Sequence, residues 1–450
     1  MRGQRNDAMH RPRRDKNAEA FLKDGEKMAK KLIHTPEGVR DIFGIECDRK
    51  RYLERQIEKL LRSYGYQSIE TPTCEYLTVF DREVGTTPSR ELYQFFDREG
   101  DTIVLRPDFT PSVARAASMY FSEETMPLRF CYRGNVFINY SGLQGRLRES
   151  TQMGVEYLND DSPEADAEIL SLVIAIMQKT GLQDFQITVG NVNYFRALTE
   201  EAEMDEESIF ELRELLSIQN RFGAQALIER LRLRKDLAEA FLRLPEMFGD
   251  AGVLDQAERL APNRTAKEAV RRMKKIQELL KVYQMDRYVT FDLGMVSAFR
   301  YYTGIIFQAY TYGSGEALIK GGRYDDLLRH FGKNSPAIGF VTQVDALLTA
   351  LERRHISMPV EDIKTMLLYA PEMEAYAIRF AAEERGRGID TACIRFAEGK
   401  VLDDYRLYGQ RNQFGGILYF RSGQEGYAID LHTGETTEFA MPDLEGGVAE

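Results

Sequence analysis

The chain has 450 residues, of which 43% are hydrophobic and 29% charged, and these proportions are typical of a soluble globular protein with two or three domains. Its formal net charge of -11 argues against a broad nucleic-acid-binding surface, which needs a basic face. No apolar run reaches the roughly 18 to 20 residues of a membrane span, and the N-terminus lacks the apolar core of a secretory signal. We therefore expect a cytoplasmic protein without a membrane anchor.

Cysteine and histidine usage does not indicate a metal or redox centre. The four cysteines lack the spacing of metal ligands or of a redox pair, so reduced structural thiols are expected. The five histidines include no HExxH motif, so a built-in zinc site is not expected. The sequence predicts no cofactor.

Residues 1–32 form a basic segment that we expect to be a disordered tail. Between Met1 and Lys31, ten Lys or Arg residues stand against five Asp or Glu residues, and large apolar residues are almost absent. A nucleic-acid-binding arm is the alternative interpretation. Met28 is an alternative natural start, which would leave the preceding residues without a function.

The first predicted elements are one helix and several short strands. Apolar residues recur at helical spacing from Ile45 to Tyr64, and Gly65 is expected to end this helix. A strand is predicted from Tyr66 to Pro72, where the proline ends it. A hairpin is predicted from Tyr93 to Asp97 and from Ile103 to Arg106.

An acid and a hydroxyl stand at the next junction between a strand and a helix. The segment from Leu105 to Ser112 leads into a helix predicted from Ser112 to Tyr120. Asp108 and Thr110 at this junction suit recognition of an amino group. Capping of the same helix explains the two residues equally well.

Glu149 to Leu158 is predicted to be a strand on which Gln152, Gly154 and Glu156 share one face. Two polar side chains beside a glycine, on a face otherwise expected to be apolar, indicate a polar ligand or a buried hydrogen-bond network. Exposure of that face to solvent is the alternative.

A long helical stretch interrupts the predicted sheet. A helix from Glu164 to Thr180 and a strand from Phe185 to Val189 precede it, and it runs from Thr199 to Gln284. A block of helices between sheet segments is typical of an inserted subdomain, here about 199–285. Its charges are expected to lie on solvated helix faces.

The stretch from Gly294 to Leu328 is predicted to form one wall of a small-ligand pocket. Two antiparallel strands are predicted, Ile305 to Tyr312 and Ala317 to Lys320. We expect Tyr301 and Tyr302 to enter the first strand with their rings on opposite faces.

A glycine break is expected after these strands. Gly321 and Gly322 would let the backbone approach a ligand closely, and a helix is predicted from Tyr324. A short strand from Ala337 to Val341 and a helix from Gln343 to Arg353 complete a predicted domain at 33–355.

The remaining residues are predicted to form a small acidic α/β domain at 360–440, after a linker at Met358 and Pro359, with a tail at 441–450. Its predicted strands are Thr365 to Tyr369, Thr391 to Arg395, Gly416 to Phe420 and Tyr427 to Leu431. From Ile356 to Glu450, nine Lys or Arg residues stand against seventeen Asp or Glu residues. This domain would repel a polyanion.

Five motifs, in the right order, resemble the catalytic domain of class II histidyl-tRNA synthetases. They are LRPDFT from Leu105, GRLRESTQMGVE from Gly145, RYYTG from Arg300, GGRYDDL from Gly321 and PAIGF from Pro336. The resemblance spans His34 to Glu352. It implies an α+β fold, with an antiparallel sheet flanked by helices, and usually a dimer.

The resemblance also implies a histidine pocket. In that family the amino group and ring of histidine are held by residues that match Asp108, Thr110, Gln152, Glu156, Tyr302 and Tyr324. Glu156 or Asp108 can balance an ammonium group, and Gln152 with a tyrosine hydroxyl can bond the imidazole nitrogens.

Three positions depart from the synthetase pattern. Ile138 follows the strand where the family has an arginine for the ATP α-phosphate and a nearby glutamate, Ser297 replaces the catalytic arginine, and Ala346 replaces the arginine at the γ-phosphate. Loss of one such clamp typically costs about 2 to 4 kcal/mol of transition-state stabilisation. Loss of all three leaves a histidine pocket without an activating site.

This combination is similar to the regulatory subunits of ATP phosphoribosyltransferase, synthetase paralogues that pair with a short catalytic subunit in the first step of histidine biosynthesis. The resemblance implies a non-catalytic protein that activates this subunit, binds L-histidine as feedback effector and forms a dimer within a hetero-oligomer. It implies no nucleic-acid or membrane partner. The alternatives are a divergent histidyl-tRNA synthetase with rebuilt phosphate clamps and a tRNA-sensing paralogue that uses the basic tail.

Overall fold

The computed structural model describes residues 33–80, 87–140, 146–218, 220–295, 301–359, 364–423 and 425–441. The predicted tail at 1–32, Ser297 and all but the first residue of the predicted tail at 441–450 lie outside these residues. The described chain divides into two compact units. The first comprises the described parts of Met1–Asp41, Pro72–Ser112 and Asn135–Ser150, and the second those of Ile42–Thr71, Val113–Gly134 and Thr151–Glu450.

The described strands are β1 (Gln67–Ser68), β2 (Cys74–Tyr76), β3 (Gln94–Phe96), β4 (Thr102–Leu105), β5 (Leu128–Phe137), β6 (Glu149–Leu158), β7 (Phe185–Asn191), β8 (Phe248–Gly249), β9 (Val289–Asp292), β10 (Ile305–Thr311), β11 (Ile319–Arg323), β12 (Ala337–Gln343), β13 (Lys364–Tyr369), β14 (Asp390–Arg395), β15 (Gly416–Phe420), β16 (Gly426–Asp430) and β17 (Thr436–Phe439). The described α-helices are Gly44–Ser63, Thr110–Tyr120, Pro163–Lys179, Val192–Glu201, Glu206–Ser217, Arg221–Arg230, Lys235–Arg243, Gly252–Leu260, Arg264–Val282, Val344–Arg353, Glu374–Gly386 and Leu402–Arg411.

The first unit contains an antiparallel sheet in the order β2-β4-β3. Phe95 of β3 pairs with Ile103 of β4, so the predicted hairpin is confirmed. The observed strands, β3 and β4, begin and end within one residue of their predicted bounds.

The second unit contains a sheet with the order β1-β5-β6-β12-β11-β10-β7-β9-β8 among the described residues. The pairs from β6 to β7 are all antiparallel. One face of these strands packs into the main hydrophobic core through Val155, Phe340, Phe307 and Val189, each no more than 3% exposed. The opposite face is therefore the one available to a ligand.

The helix Pro163–Lys179 covers the core face of this sheet. Ser162 caps its N-terminus by accepting a hydrogen bond from the backbone N–H of Ala165 at 3.2 Å, and Pro163 stands in its first turn, where no backbone donor is needed. Leu170 and Val173 of this helix are fully buried in the same cluster as the strands. This packing fixes which side of β6 and β11 faces the core.

Residues 364–439 contain a second sheet, in the order β14-β13-β15-β16-β17. The pairs of β13 with β14 and β15 are parallel, and those that follow are antiparallel. Apolar clusters cover both faces, one with Met366 and Ile417 and one with Leu367 and Phe420. The four predicted strands are present within one residue of their predicted bounds, and β17 is an additional strand that no pattern indicated.

Three local predictions were wrong. The strand expected from Tyr66 to Pro72 is reduced to β1, because only Gln67 and Ser68 find partners on β5. Gly321 and Gly322 do not break the chain but pair within β11. The helix expected from Tyr324 is replaced by a turn and a 3-10 helix, Leu327–Phe331.

In the part of the chain that the structure describes, no helix combines the length and the apolarity needed to cross a lipid bilayer.

Candidate functional site

Five residues form a row across the ligand face of the large sheet, one from each of five neighbouring strands. The row runs Glu156, Gly339, Gly322, Ile306 and Gly190, and each is directly opposite the next. Directly opposed residues point to the same side of an antiparallel sheet. All five are buried, and we call this set the closed row.

Glycine leaves space in the closed row for side chains that cross it. A Cβ atom at Gly339 would overlap the Oε2 atom of Glu156, so the carboxylate lies over that glycine. A Cβ atom at Gly322 would lie 2.6 Å from Cε1 of Tyr302, so the Tyr302 ring lies over the next one. Gly322 therefore has the close approach that was expected, here from a side chain of the chain itself, whereas Gly339 was not predicted and Gly321 lies against Phe307 on the core face.

Glu156 and Tyr324 form a buried hydrogen-bonded pair. The Tyr324 hydroxyl donates to Oε2 of Glu156, and the residues are 1% and 3% exposed. The pKa of the Tyr324 phenol is raised well above its ordinary value. Burial is the larger cause, and the negative charge of Glu156 is the second. The phenol thus stays protonated over the whole physiological pH range.

Three tyrosines form an aromatic cluster beside this pair. The ring centroids of Tyr301 and Tyr302 are 4.4 Å apart with 32° between their planes, and those of Tyr301 and Tyr324 are 6.0 Å apart at 66°. The prediction that Tyr301 and Tyr302 point to opposite faces was wrong, because β10 begins only at Ile305. Outside a strand, alternation does not separate neighbouring rings.

Thr303 and Asp325 hold the segment that carries Tyr302. The Thr303 hydroxyl donates to Oδ2 of Asp325 at 2.9 Å and accepts from the backbone N–H of Asp325 at 2.8 Å. Asn193 donates from Nδ2 to the Thr303 carbonyl at 2.7 Å. Sequence reasoning did not single out these positioning residues, although Thr303 and Asp325 lie within the RYYTG and GGRYDDL motifs.

Arg323, from the same motif, lies on the core side of the sheet and not in the site. It is 1% exposed and donates to Asp166, which is fully buried in the helix Pro163–Lys179. Its Nη1 donates to Oδ1 of Asp325 at 3.1 Å. Arg323 therefore supports the site from behind.

Gln152 lies on the same sheet face as Glu156, opposite Gln343. It is 6% exposed, which excludes the alternative of a solvent-exposed strand face. Among the described residues, its Oε1 atom is buried without a hydrogen-bond partner. A buried amide oxygen in this state is stabilised by any ligand that donates a hydrogen bond to it.

Asp108 and Thr110 belong to the first unit. The backbone N–H of Thr110, which begins the helix Thr110–Tyr120, donates to Oδ1 of Asp108 at 2.9 Å. The Asp108 side chain therefore bonds the first turn of this helix, as the capping interpretation expected for that residue. Their assignment to histidine binding stays a prediction from the resemblance.

The positions that depart from the synthetase pattern have ordinary structural surroundings where they are described. The backbone N–H of Ile138 donates to the carbonyl of Arg148 at 2.9 Å, and Ala346 packs against the main hydrophobic cluster from the helix Val344–Arg353. Ser297 lies outside the described residues.

A cavity of about 320 Å³ opens on the same sheet face, beyond the predicted histidine residues. Thr188, Gln308, Tyr310, Asp292, Met295 and Phe248 line it. Asp292 accepts a hydrogen bond from the backbone N–H of Gly294 at 2.8 Å. Burial nevertheless raises the pKa of the Asp292 carboxyl group, and the backbone hydrogen bonds from Gly294 and Met295 offset this only in part.

Comparison with known protein families matches residues 38–347 to the histidyl-tRNA synthetase family. The chain is 36% identical over 418 residues to an ATP phosphoribosyltransferase regulatory subunit of Acetivibrio thermocellus, covering 93% of this chain and 99% of the relative. It is 34% identical over 417 residues to the subunit of the same name from Ruminiclostridium cellulolyticum, with the same coverage.

A solved structure gives the same result. It is described as an ATP phosphoribosyltransferase regulatory subunit/histidyl-tRNA synthetase from Bacillus halodurans, and it superposes with a TM-score of 0.78 at 29% identity, covering 87% of this chain and 99% of that one. The predicted class II synthetase-like α+β fold is confirmed. The chain belongs to the family of ATP phosphoribosyltransferase regulatory subunits, which share the fold of histidyl-tRNA synthetases.

Proposed function

We propose that this chain activates a short-form ATP phosphoribosyltransferase catalytic subunit in the cytoplasm and makes it sensitive to L-histidine. Family membership supports the regulatory role. In this proposal the chain forms a dimer within a hetero-oligomer with the catalytic subunit, and it carries out no catalysis of its own.

The buried Glu156–Tyr324 pair is the observation that favours histidine as the effector. The carboxylate lies in a closed, glycine-lined row and can accept from an imidazole or ammonium N–H, while the Tyr324 hydroxyl holds it in place. Gln152 adds an acceptor oxygen that has no partner within the described chain. These groups suit a small ligand with several N–H donors.

Feedback requires histidine to bind two states of the complex with different affinity. A coupling free energy of about 1 to 3 kcal/mol is typical of such regulation. The aromatic cluster around Tyr302 is held by Thr303 and Asp325, so a ligand that moves the Tyr302 ring would also alter this hydrogen-bonded segment. We propose this segment as the first part of the chain to respond to histidine.

Calorimetry and a reconstituted assay test the proposal. L-Histidine is expected to bind the purified chain, and a purified short-form catalytic subunit is expected to become active only when the chain is added. Histidine should inhibit the reconstituted complex. Absence of histidine binding, together with a catalytic subunit that is equally active alone, would refute the proposal.

A divergent histidyl-tRNA synthetase is the second candidate, because the match to that family covers residues 38–347. This enzyme would catalyse histidine-dependent exchange of pyrophosphate into ATP. Appreciable exchange by the chain alone would favour it over the regulatory subunit. We expect none, since Ile138, Ser297 and Ala346 stand where the resemblance places catalytic arginines.

A further inference from the structure

The sheet face that carries Glu156 becomes less buried in the row next to the closed row. The next row, here called the open row, consists of Gly154, Val341, Lys320, Gln308 and Thr188, again directly opposite one another on β6, β12, β11, β10 and β7. Val341, Gln308 and Thr188 are half-buried, and Lys320 is exposed. The site therefore opens towards solvent along this row.

Lys320 is an unusual residue for this place. It stands in the middle of β11, a central strand, between the buried Ile319 and Gly321. No other Lys or Arg of β6, β12, β11, β10 or β7 points to this face, because Arg323 lies on the core side. No hydrogen bond or ion pair joins the Lys320 ammonium group to the described part of the chain. Lys320 is thus the cation that these five strands place beside the buried Glu156 carboxyl group.

The spacing suits an amino acid. Strands lie about 4.8 Å apart and residues rise about 3.3 Å along a strand, so Lys320, two strands and two residues from Glu156, has its Cα atom about 12 Å from that of Glu156. The carboxylate of Glu156 lies over Gly339, which is one strand closer to Lys320. An amino acid with an N–H donor at one end and a carboxylate at the other can bridge a separation of this size.

The geometry points to Lys320 as the residue that binds the carboxylate group of the amino acid held by Glu156 and Tyr324. This inference rests on the proposed histidine site and deepens it. The ligand's N–H groups bond to Glu156 and to the buried, unpartnered Oε1 of Gln152, while its carboxylate pairs with the Lys320 ammonium group at the open row. Lys320 therefore makes the site select an amino acid over the corresponding amine.

Histamine provides the direct comparison, because it has the imidazole and ammonium groups of histidine but no carboxylate. The wild-type chain should bind L-histidine more tightly than histamine. The Lys320→Met variant keeps the length of the side chain without its charge, and it should bind L-histidine about tenfold more weakly. Its affinity for histamine should stay within about twofold of wild type.

Two further variants serve as controls. Lys320→Arg retains a cation and should keep most of the affinity for L-histidine, which a purely structural role in β11 would not explain. Lys400→Met removes an equally exposed lysine outside the sheet strands and should change neither affinity. Circular dichroism checks that every variant is folded.

The outcomes separate this inference from the proposed function. Suppose that the wild-type chain binds L-histidine. If Lys320→Met binds L-histidine equally well, or if its affinity for histamine falls as much as its affinity for L-histidine, the role of Lys320 is refuted and the histidine site stands. If the wild-type chain binds neither ligand in calorimetry, both fail together. If Lys320→Met binds L-histidine more weakly than the wild-type chain does but binds histamine equally well, both the role of Lys320 and the histidine site are supported.

Discussion

Arg323 and Asp166 are joined by two hydrogen bonds that end on the same carboxylate oxygen. Nε and Nη2 of Arg323 donate to Oδ1 of Asp166 at 2.9 and 2.7 Å, while Arg272 donates to Oδ2 at 2.6 Å. The three side chains link β11, the helix Pro163–Lys179 and the helix Arg264–Val282. The back of the candidate site is thus fixed by charge as well as by apolar packing.

Asp166→Asn is expected to lower the free energy of unfolding by about 3 kcal/mol, because it removes the buried negative charge that Arg323 and Arg272 share. Urea unfolding followed by circular dichroism measures the change. Asp255→Asn is the matched control, since Asp255 pairs with Lys274 at the surface and should have no measurable effect. Equal stability of Asp166→Asn and wild type would show that the buried pair is not a stabilising element.

Gly339→Ala is expected to weaken histidine binding strongly. The new methyl group would overlap the Glu156 carboxylate and displace it from the Tyr324 hydroxyl. Calorimetry should show at least about tenfold weaker binding, equivalent to about 1.4 kcal/mol. Gly386→Ala is the control, because a Cβ atom there meets no atom within 4 Å, and a helical Gly→Ala change is expected to stabilise by about 0.5 to 1 kcal/mol. Unchanged histidine affinity in Gly339→Ala would place the ligand elsewhere.

Tyr324→Phe removes the hydroxyl that donates to Glu156 and is expected to cost about 1 to 3 kcal/mol of stability, because a buried carboxylate loses a donor. Histidine affinity should fall as well, since the carboxylate is no longer held in position. Urea unfolding and calorimetry measure the two effects. Tyr312→Phe, at a tyrosine that is 82% exposed, should change neither quantity. A Tyr324→Phe chain with wild-type stability would contradict the hydrogen bond.

Asp292→Asn should change how stability depends on pH. Burial raises the pKa of Asp292 in the folded chain, so its contribution to stability is fully present below the pKa of the unfolded chain, about 3.9. That contribution is lost as the pH rises through the folded pKa. The stability of Asp292→Asn relative to wild type should therefore increase from pH 4 towards neutrality.

Urea unfolding at a series of pH values measures this difference. Asp255→Asn should not show the increase, because the hydrogen bond and charge of Lys274 lower the pKa of Asp255. A difference between Asp292→Asn and wild type that is constant with pH would mean that Asp292 ionises as freely in the folded chain as in the unfolded one.

Local periodicity predicted the part of the site that lies within strands. The alternation from Glu149 to Leu158 correctly placed Gln152, Gly154 and Glu156 on one face, because the side-chain period of a strand is set by the backbone itself. The start of β10 is set by pairing with β7 and β11. No local pattern carries that information, and the orientation of Tyr301 and Tyr302 was therefore predicted wrongly.

Hydrogen bonds between residues far apart in the chain could not be predicted from the sequence either. Asp166 stands in an apolar helix, and nothing near it indicates a partner 157 residues later. The turn at Tyr324 forms because its backbone N–H donates to the carbonyl of Ala337 at 2.7 Å, which competes with the predicted helix. The resemblance, by contrast, predicted the family and the fold correctly, because motifs shared with a known fold carry the tertiary contacts that periodicity omits.

Arg323 and Tyr324 are consecutive residues, and the first is bonded to Asp166 while the second is bonded to Glu156. One peptide bond therefore separates the residue bonded to the helix Pro163–Lys179 from the residue bonded to Glu156 in the candidate histidine site. A ligand that pulls on the Tyr324 hydroxyl exerts its force on the same short piece of backbone that anchors the helix Pro163–Lys179. Residues 323 and 324 are therefore the shortest covalent route from the candidate site to that helix.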